Sequence, residues 1–509
     1  MKKLPIGIST LSEIINENYV YIDKTKTAFE LINSGKYYFL SRPRRFGKSL
    51  FLDTLKEIFY GNKELFKGLY IYDKYAFEPH PVIRIIFGDG NIESKEDLNK
   101  KILVILKENQ NELGLEIENT DNDASDIFRE MIIKAYKKYN KRVVILVDEY
   151  DKPILDNIEN EEIAKEIRDQ LKGFYSVIKK SDEYLKFVFL TGVSKFSKVS
   201  LFSGLNNLND ITLNPNYATI CGYTQSELEY SFKEHLKGQD LDKIREWYNG
   251  YKWLGESVYN PFDILLFINN NFDFRNYWFS TATPTFLLKL IEKNQYFIPD
   301  LENIILDESM LGSFDVDNIN LEILMWQTGY LTIVEKIDFF DEIRYKLDIP
   351  NKEVRLSLMS SISDFLTKIR TTEYKDKIKL SLFNKDMESF ELSLKCLFES
   401  IPYNHFTNNE MYNYEGYYVC VFYAHIKGLG IDIKCEQATK RGRIDALLTL
   451  PEAIYVIEFK TDGGGALKQI KEKGYHEQFL DSGKEIILIG IEFDKNEKNI
   501  SKVEYEQLK

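Results

Sequence analysis

The chain has 509 residues and a mass of 59.8 kDa, which at about 100 to 200 residues per domain predicts two to four domains rather than one core. Apolar residues make up 44% and charged residues 29%, the balance of a folded globular chain and not of a disordered one. The formal net charge of -13 argues against coating nucleic acid by bulk electrostatics and leaves only local basic patches open.

The opening Met1-Lys2-Lys3-Leu4-Pro5-Ile6-Gly7 has no apolar stretch behind its lysines, so no export signal is expected. The longest apolar runs, Val143 to Val147 and Ile486 to Ile489, fall far short of the roughly 20 residues that a membrane-crossing helix needs, so no membrane partner is expected. Cys221, Cys396, Cys420 and Cys435 make neither a CxxC pair nor a zinc-finger spacing, as in a cytoplasmic protein with reduced, buried thiols. Aromatic residues, 14% of the chain, fit an aromatic core more simply than base stacking.

In chain order, short β-type runs at Tyr37 to Leu40, Val82 to Phe87, Val143 to Asp148 and Phe187 to Thr191 alternate with helical patterns at Lys48 to Phe59, Ile102 to Leu106, Ile127 to Tyr136 and Ile163 to Ile178. That alternation predicts an α/β domain with a parallel sheet covered on both faces. The first strand runs into Ser41-Arg42-Pro43-Arg44-Arg45-Phe46-Gly47-Lys48-Ser49-Leu50 and then a helix. Backbone N–H groups converge at such a turn, and the helix N-terminus favours an anion, so the loop is a candidate phosphate cradle. Arg44, Arg45, Phe46, Gly47, Lys48, Ser49 and Leu50 are its candidate nucleotide contacts, with Lys48 reaching phosphate and Ser49 a Mg²⁺ ligand. Arg42 stands where the GxxxxGK[ST] pattern has its first glycine, and Pro43 removes a donor.

The strand Val143 to Val147 ends in Asp148-Glu149. Asp148 is a candidate Mg²⁺ ligand beside the phosphate loop, Glu149 a candidate catalytic base for water, and Thr191 a polar group near the γ-phosphate. The strand Val82 to Phe87, between these motifs in sequence, fits the ATPases that insert a strand between them. A turn followed by a capped strand is the structural alternative, and Arg44 and Arg45 also fit a solvated basic loop.

Residues 215 to about 310 read as mainly helical, broken at Asn249-Gly250 and Asn260-Pro261. A helix from Leu321 through Trp326, then strands Tyr330 to Val334 and Tyr345 to Ile349, outlines a winged helix or an α+β insert. A helical linker over 356–400 leads to a third unit with a helix around Glu415 to Ile426, strands Ile444 to Leu450 and Ile454 to Phe459, a helix Ala466 to Phe479 and a strand Ile486 to Phe493. The expected domains are 1–214, 215–355, 356–400 and 401–509.

In the last of these, Glu458 and Lys460 are two apart on one strand and share a face, and the short Pro451-Glu452-Ala453 connection folds the Asp445 strand back beside them. Two adjacent carboxylates repel unless a cation sits between them, so Asp445, Glu458 and Phe459 are candidate ligands for Mg²⁺, with Mn²⁺ as the alternative. With Lys460 they form a candidate hydrolytic set. Glu415, Gln469 and Lys473 are candidate nucleic-acid contacts, and Glu436 is a further acidic candidate. Basic residues at 434, 440, 441, 443, 460, 468, 471 and 473 predict a local patch for a phosphate backbone. An ordinary half-exposed strand with a salt pair and a solvated helix face is the alternative.

These features resemble the AAA-ATPase-like family of bacterial and archaeal proteins with a C-terminal PD-(D/E)xK nuclease-like domain. The resemblance spans nearly the whole chain: Leu4-Pro5-Ile6-Gly7, Tyr21-Ile22-Asp23-Lys24-Thr25, the loop from Arg42 to Ser49, Val147-Asp148-Glu149-Tyr150-Asp151-Lys152-Pro153, Trp247-Tyr248-Asn249-Gly250-Tyr251, Tyr259-Asn260-Pro261, Gly442-Arg443-Ile444-Asp445 and Glu458-Phe459-Lys460. It implies a P-loop ATPase core joined to a restriction-endonuclease-like fold, with ATP and Mg²⁺ as cofactors and Asp445, Glu458 and Lys460 matching the nuclease motif. The Arg42 form of the loop is usual there, whereas Ile444 replaces the usual proline. Links to mobile elements or defence are implied by analogy. The expected activity is ATP binding and hydrolysis coupled to cleavage of DNA or RNA. The rivals are a nucleotide-dependent switch whose nuclease-like domain only binds, and an ATPase acting on protein partners. A homo-oligomer is compatible with the ATPase reading, since many P-loop enzymes borrow a neighbour's arginine.

Overall fold

Short strands with apolar side chains on both faces have to be covered on both sides, and the first sheet follows from that requirement. It contains β1 (Tyr37–Ser41), β2 (Val82–Ile86), β3 (Val143–Asp148), β4 (Leu185–Gly192) and β5 (Asn209–Asp210), all parallel in the order β2-β3-β4-β1-β5. The computed structural model describes residues 1–88, 90, 92–117, 123–195, 205–279, 285–302, 304–312, 319–340, 342–367, 372–399, 401, 415–461, 463–494, 497 and 499–508, excluding the side chains of 372–375 and 415. The chain divides into two units, Met1–Ala282 with Ile304–Asn351, and Thr283–Asn303 with Lys352–Lys509.

In the first unit the helices Lys48–Phe59, Lys95–Glu112, Ala124–Tyr139 and Glu161–Lys180 accompany the sheet. Side chains set two of their starts: Ser94 accepts from Asp97 N at 3.1 Å and Asn160 from Ile163 N at 3.3 Å. One expectation is corrected in space. The strand lying between β1 and β3 is β4, whereas Val82–Ile86 sits at the sheet edge. The helices Gln225–Ser231, Leu241–Tyr248 and Pro261–Asn269 gather Leu228, Phe232, Ile244, Tyr248, Tyr259 and Phe267 into an apolar cluster of their own.

The span read as helical to about 310 contains a strand, β6 (Ile304–Asp307), which pairs with β8 (Glu342–Asp348); β8 also pairs with β7 (Thr332–Phe339). The expected two-stranded wing is thus a three-stranded antiparallel sheet in the order β6-β8-β7. The helix Leu321–Thr328 ahead of it ends at Gly329, whose φ of 94° is the left-handed conformation that glycine adopts without strain.

The second unit holds β9 (Asp432–Thr439), β10 (Gly442–Thr449), β11 (Ala453–Thr461), β12 (Glu485–Asp494) and β13 (Asn499–Leu508), in the order β13-β12-β11-β10-β9. Only the β11–β12 pair is parallel. The helix Glu415–Gly428 is buried over nearly its whole described length and packs against Lys352–Thr367, with Tyr417 donating to Leu366 O at 3.1 Å. On β11, Phe459 meets Phe422 of that helix, while Ile454 and Val456 point the other way and pack with Ile470 of the helix Ala466–Lys473. That last helix is shorter than expected, because Gly474 ends it with φ 58° and a Cβ there would overlap the Arg441 guanidinium.

Candidate active sites

β1 delivers the loop Arg42–Gly47 to the start of the helix Lys48–Phe59, and two left-handed residues, Arg45 (φ 70°) and Gly47 (φ 93°), turn the chain between them. Arg42 does not enter the cradle. Its guanidinium is fully buried, donates to Ser41 O at 2.8 Å, Thr212 O at 3.0 Å and Tyr217 O at 3.2 Å, and stacks 4.1 Å from the Trp253 ring centroid. Burial lowers its pKa to about 10. The residue that breaks the glycine pattern is therefore an anchor beneath the loop. Arg42→Gly, which restores the common pattern, should cost about 3 kcal/mol by deleting these bonds and orphaning buried carbonyls. Urea denaturation of the two proteins measures that loss.

Lys48 is buried, and its Nζ donates to Arg42 O at 2.9 Å and Pro43 O at 2.8 Å. Burial pulls its pKa down, while Asp148, Asp151 and Glu149 hold it up. Arg44 and Arg45 are exposed, and Arg45 lies over the Phe262 ring at 4.9 Å from its centroid. Asp148 ends β3 buried, accepting from Glu149 N at 3.0 Å. Burial and the Asp148 charge push the Glu149 carboxyl above the usual carboxylate range. Thr191 is fully buried at the end of β4, its Oγ1 without a hydrogen-bond partner among the described residues.

A cleft of about 870 Å³ brings these parts together, lined by Arg44 to Leu50, Glu149 and Asp151, while Asp148 and Thr191 are buried at the strand ends and not among its lining residues. Sequence reasoning left much of its wall unassigned. The N-terminal Pro5, Ile8, Val20 and Ile22, and Ile220 and Leu265, supply apolar surface of the kind a nucleobase fills. The signal was available in Leu4-Pro5-Ile6-Gly7 and Tyr21-Ile22-Asp23-Lys24-Thr25, dense motifs without a chemical role of their own.

In the second unit β10 and β11 run antiparallel with Ala446 opposite Ile457, and Asp445 and Glu458 are the next residues of the two strands beyond that pair. Asp445 Oδ2 accepts from Phe459 N at 2.8 Å. Glu458 is 1% exposed, its Oε1 held by the Gln469 amide and 3.5 Å from Lys460 Nζ. Gln469 therefore reaches Glu458, while Lys473 stays exposed on the same helix. Tyr475, which sequence reasoning passed over, brings its hydroxyl among Glu458, Gln469 and Asp445; burial, then the Glu458 and Asp445 charges, raise its pKa against the Gln469 hydrogen bond, which lowers it. Gly442 makes room for it, since a Cβ there would lie 2.6 Å from the Tyr475 hydroxyl. Glu436 pairs instead with Arg443 at 3.1 Å, and the Glu415 side chain lies outside the described residues.

The expected basic patch is largely paired off. Arg441 faces Glu477 at 3.0 Å, Lys468 faces Glu472 at 3.5 Å and Lys471 meets Glu506. No group of three or more His, Cys, Asp or Glu side chains placed to hold a metal occurs among the described residues. Asp445, which accepts from Phe459 N, and Glu458, the residue before Phe459, carry hard oxygen donors of the kind that suits Mg²⁺ or Mn²⁺.

A family model described as a predicted AAA-ATPase matches residues 5–202, and one described as PD-(D/E)XK nuclease superfamily matches residues 413–503. An "Uncharacterized protein in vnfD 5'region" from Azotobacter chroococcum mcd 1 is 46% identical over 510 residues, covering 98% of each chain. No solved structure matches. No helix among the described residues is long and apolar enough to cross a membrane.

Proposed function

Because the chain belongs to the AAA-ATPase-like family that carries a C-terminal PD-(D/E)XK nuclease superfamily domain, we propose that it binds and hydrolyses ATP in the first unit and cuts a phosphodiester bond of DNA or RNA in the second. The observation that carries the reading is the hydrogen bond from Phe459 N to Asp445 Oδ2, which joins the β10 carboxylate to β11 next to Glu458, with Lys460 3.5 Å from Glu458 and a buried Lys48 facing acidic strand ends elsewhere in the chain.

At the first site Lys48, which donates to the Arg42 and Pro43 carbonyls, would turn to phosphate oxygens, Ser49 and Asp148 would be the oxygen donors for Mg²⁺, and Glu149 would orient the attacking water. Burial and the Asp148 charge, which raise the Glu149 pKa, make its carboxylate a stronger base than an exposed one. At the second site Asp445, Glu458 and Phe459 would hold the divalent ion, which supplies charge stabilisation at the attacked phosphate. Lys460 orients or helps deprotonate the attacking water. Gln469 and Lys460 both contact Glu458 and fix its carboxylate.

The test is incubation of the purified chain with single- and double-stranded DNA and RNA, Mg²⁺ or Mn²⁺, with and without ATP. Metal-dependent strand scission is expected, removed by EDTA. Dependence of that scission on ATP tells a coupled enzyme from two independent activities. Absence of cutting on every substrate, with ATP still bound, replaces the reading by a nucleotide-dependent switch whose second unit only binds.

A further inference from the structure

The turn after Glu149 contains a buried carboxylate that the proposed chemistry does not use. Asp151 is 1% exposed and lines the cleft. Its Oδ2 accepts from Val193 N at 3.0 Å, from Ser194 N at 2.5 Å and from Ser194 Oγ at 2.5 Å, and Oδ1 accepts from Val193 N at 3.3 Å. Its neighbour Tyr150 accompanies it, with the hydroxyl donating to Ser194 O at 3.0 Å and the backbone N–H to Thr191 O at 3.2 Å. Gly192 completes the fit, because a Cβ there would overlap both Asp151 Oδ1 and the Tyr150 ring.

The segment so fastened is the end of β4, directly after Thr191. It is held on its far side too: Lys195 N donates to Gln327 Oε1 at 3.1 Å, and Lys195 Nζ lies 2.6 Å from Asp210 Oδ2. Residues 193–195 are thus fixed by side chains from the β3 turn, from β5 and from the helix Leu321–Thr328. The bonds to Asp151, together with the two from Tyr150, tie this strand end to the turn carrying Glu149.

We infer that Asp151 is a positioning residue: its carboxylate clamps the end of β4 to the turn after β3, and so holds Thr191 and Glu149 at the spacing that nucleotide turnover requires. The inference rests on the nucleotide reading above and adds to it a residue that touches neither phosphate nor metal. An ionised carboxylate suits the place because both its oxygens only accept, whereas an asparagine that keeps its oxygen at the Oδ2 position turns an NH₂ toward the Val193 N–H that Oδ1 accepts. Binding should depend on it little, since the loop and Lys48 supply the phosphate contacts; alignment in the transition state should depend on it strongly.

The experiment compares Asp151→Asn and Ser194→Ala with wild type in the full-length chain, reading the affinity of a fluorescent ATP analogue and the steady-state release of phosphate. Asp151→Asn should lower kcat about 30-fold with Kd within about threefold, and Ser194→Ala, which removes one donor of the three, should lower kcat about threefold at unchanged Kd. Parallel loss of Kd and kcat, together with a lowered Tm, would mark a merely structural role and overturn the inference. So would wild-type kcat in a folded Asp151→Asn protein. Should that variant not fold, wild-type turnover in Ser194→Ala overturns it instead. A wild type that binds no nucleotide, or binds without turning it over, sinks the nucleotide reading and this inference together, whereas an active wild type matched by its variants sinks this inference alone.

Discussion

Cleavage of DNA or RNA by the Glu458→Ala protein should fall about a thousandfold while ATP affinity stays at the wild-type value. Glu458 is nearly inaccessible to solvent, yet it sits where the Gln469 amide and the Lys460 ammonium both contact it. A carboxylate kept in such a place needs cationic company; Lys460 supplies part of it, and on the proposed reading a divalent ion would supply the rest. Alanine removes a metal donor and the partner of Lys460 at once. Glu458→Gln is the companion variant, because it keeps the shape and a hydrogen bond to Gln469 while removing the charge, and it should lose cutting to a similar degree. Lys460→Ala should lose about a hundredfold. Gel assays on end-labelled substrates read all three, and cutting retained in Glu458→Gln would remove this carboxylate from the mechanism.

ATP affinity of the Lys48→Ala protein should drop about 100-fold, the equivalent of about 2.7 kcal/mol. The Lys48 ammonium satisfies the Arg42 and Pro43 carbonyls from a buried position. Phosphate oxygens offer it charge-assisted bonds about twice as strong as those to carbonyls. Alanine forfeits that exchange and also leaves two loop carbonyls without their donor. Titration with a fluorescent ATP analogue measures the change, and unaltered affinity would take the loop out of the nucleotide site. Nuclease assays without ATP on the same variant then report whether the second unit works independently.

The buried strands were legible because their runs carry little but β-branched and aromatic side chains: Val143–Asp148 is found as read, and Tyr37 to Leu40 gains one residue. Helix cores were legible for the same reason, and the helix Lys48–Phe59 is found as read, whereas Lys95–Glu112 begins seven residues before the Ile102 at which its apolar pattern starts. Ser94 and the polar first turns define that start, and they carry no periodicity. The strands β9 and β13 escaped because they flank the sheet and each buries a single residue, Ile433 and Ile500, which leaves almost no apolar alternation to read. At the candidate sites the residue types gave Lys48, Asp148, Asp445, Glu458 and Lys460. They could not give Tyr475, whose place depends on the bare backbone of Gly442 across the fold. Nor could they give the inward turn of Arg42, which depends on carbonyls of Thr212 and Tyr217 far along the chain.

The ion pairs around the Asp445 and Glu458 site have a kinetic consequence. Arginines and lysines already matched to Glu436, Glu477, Glu472 and Glu506 release few counterions when a polyanion approaches. Electrostatic steering can raise association rates ten- to about a thousandfold, and a rim neutralised in this way gives up most of that gain. Encounter with a target is then slow at low concentration and only weakly sensitive to ionic strength. On the proposed nuclease reading, selection among targets would pass from attraction at a distance to residence time after contact, and a tethered or locally concentrated strand should be cut in preference to a free one.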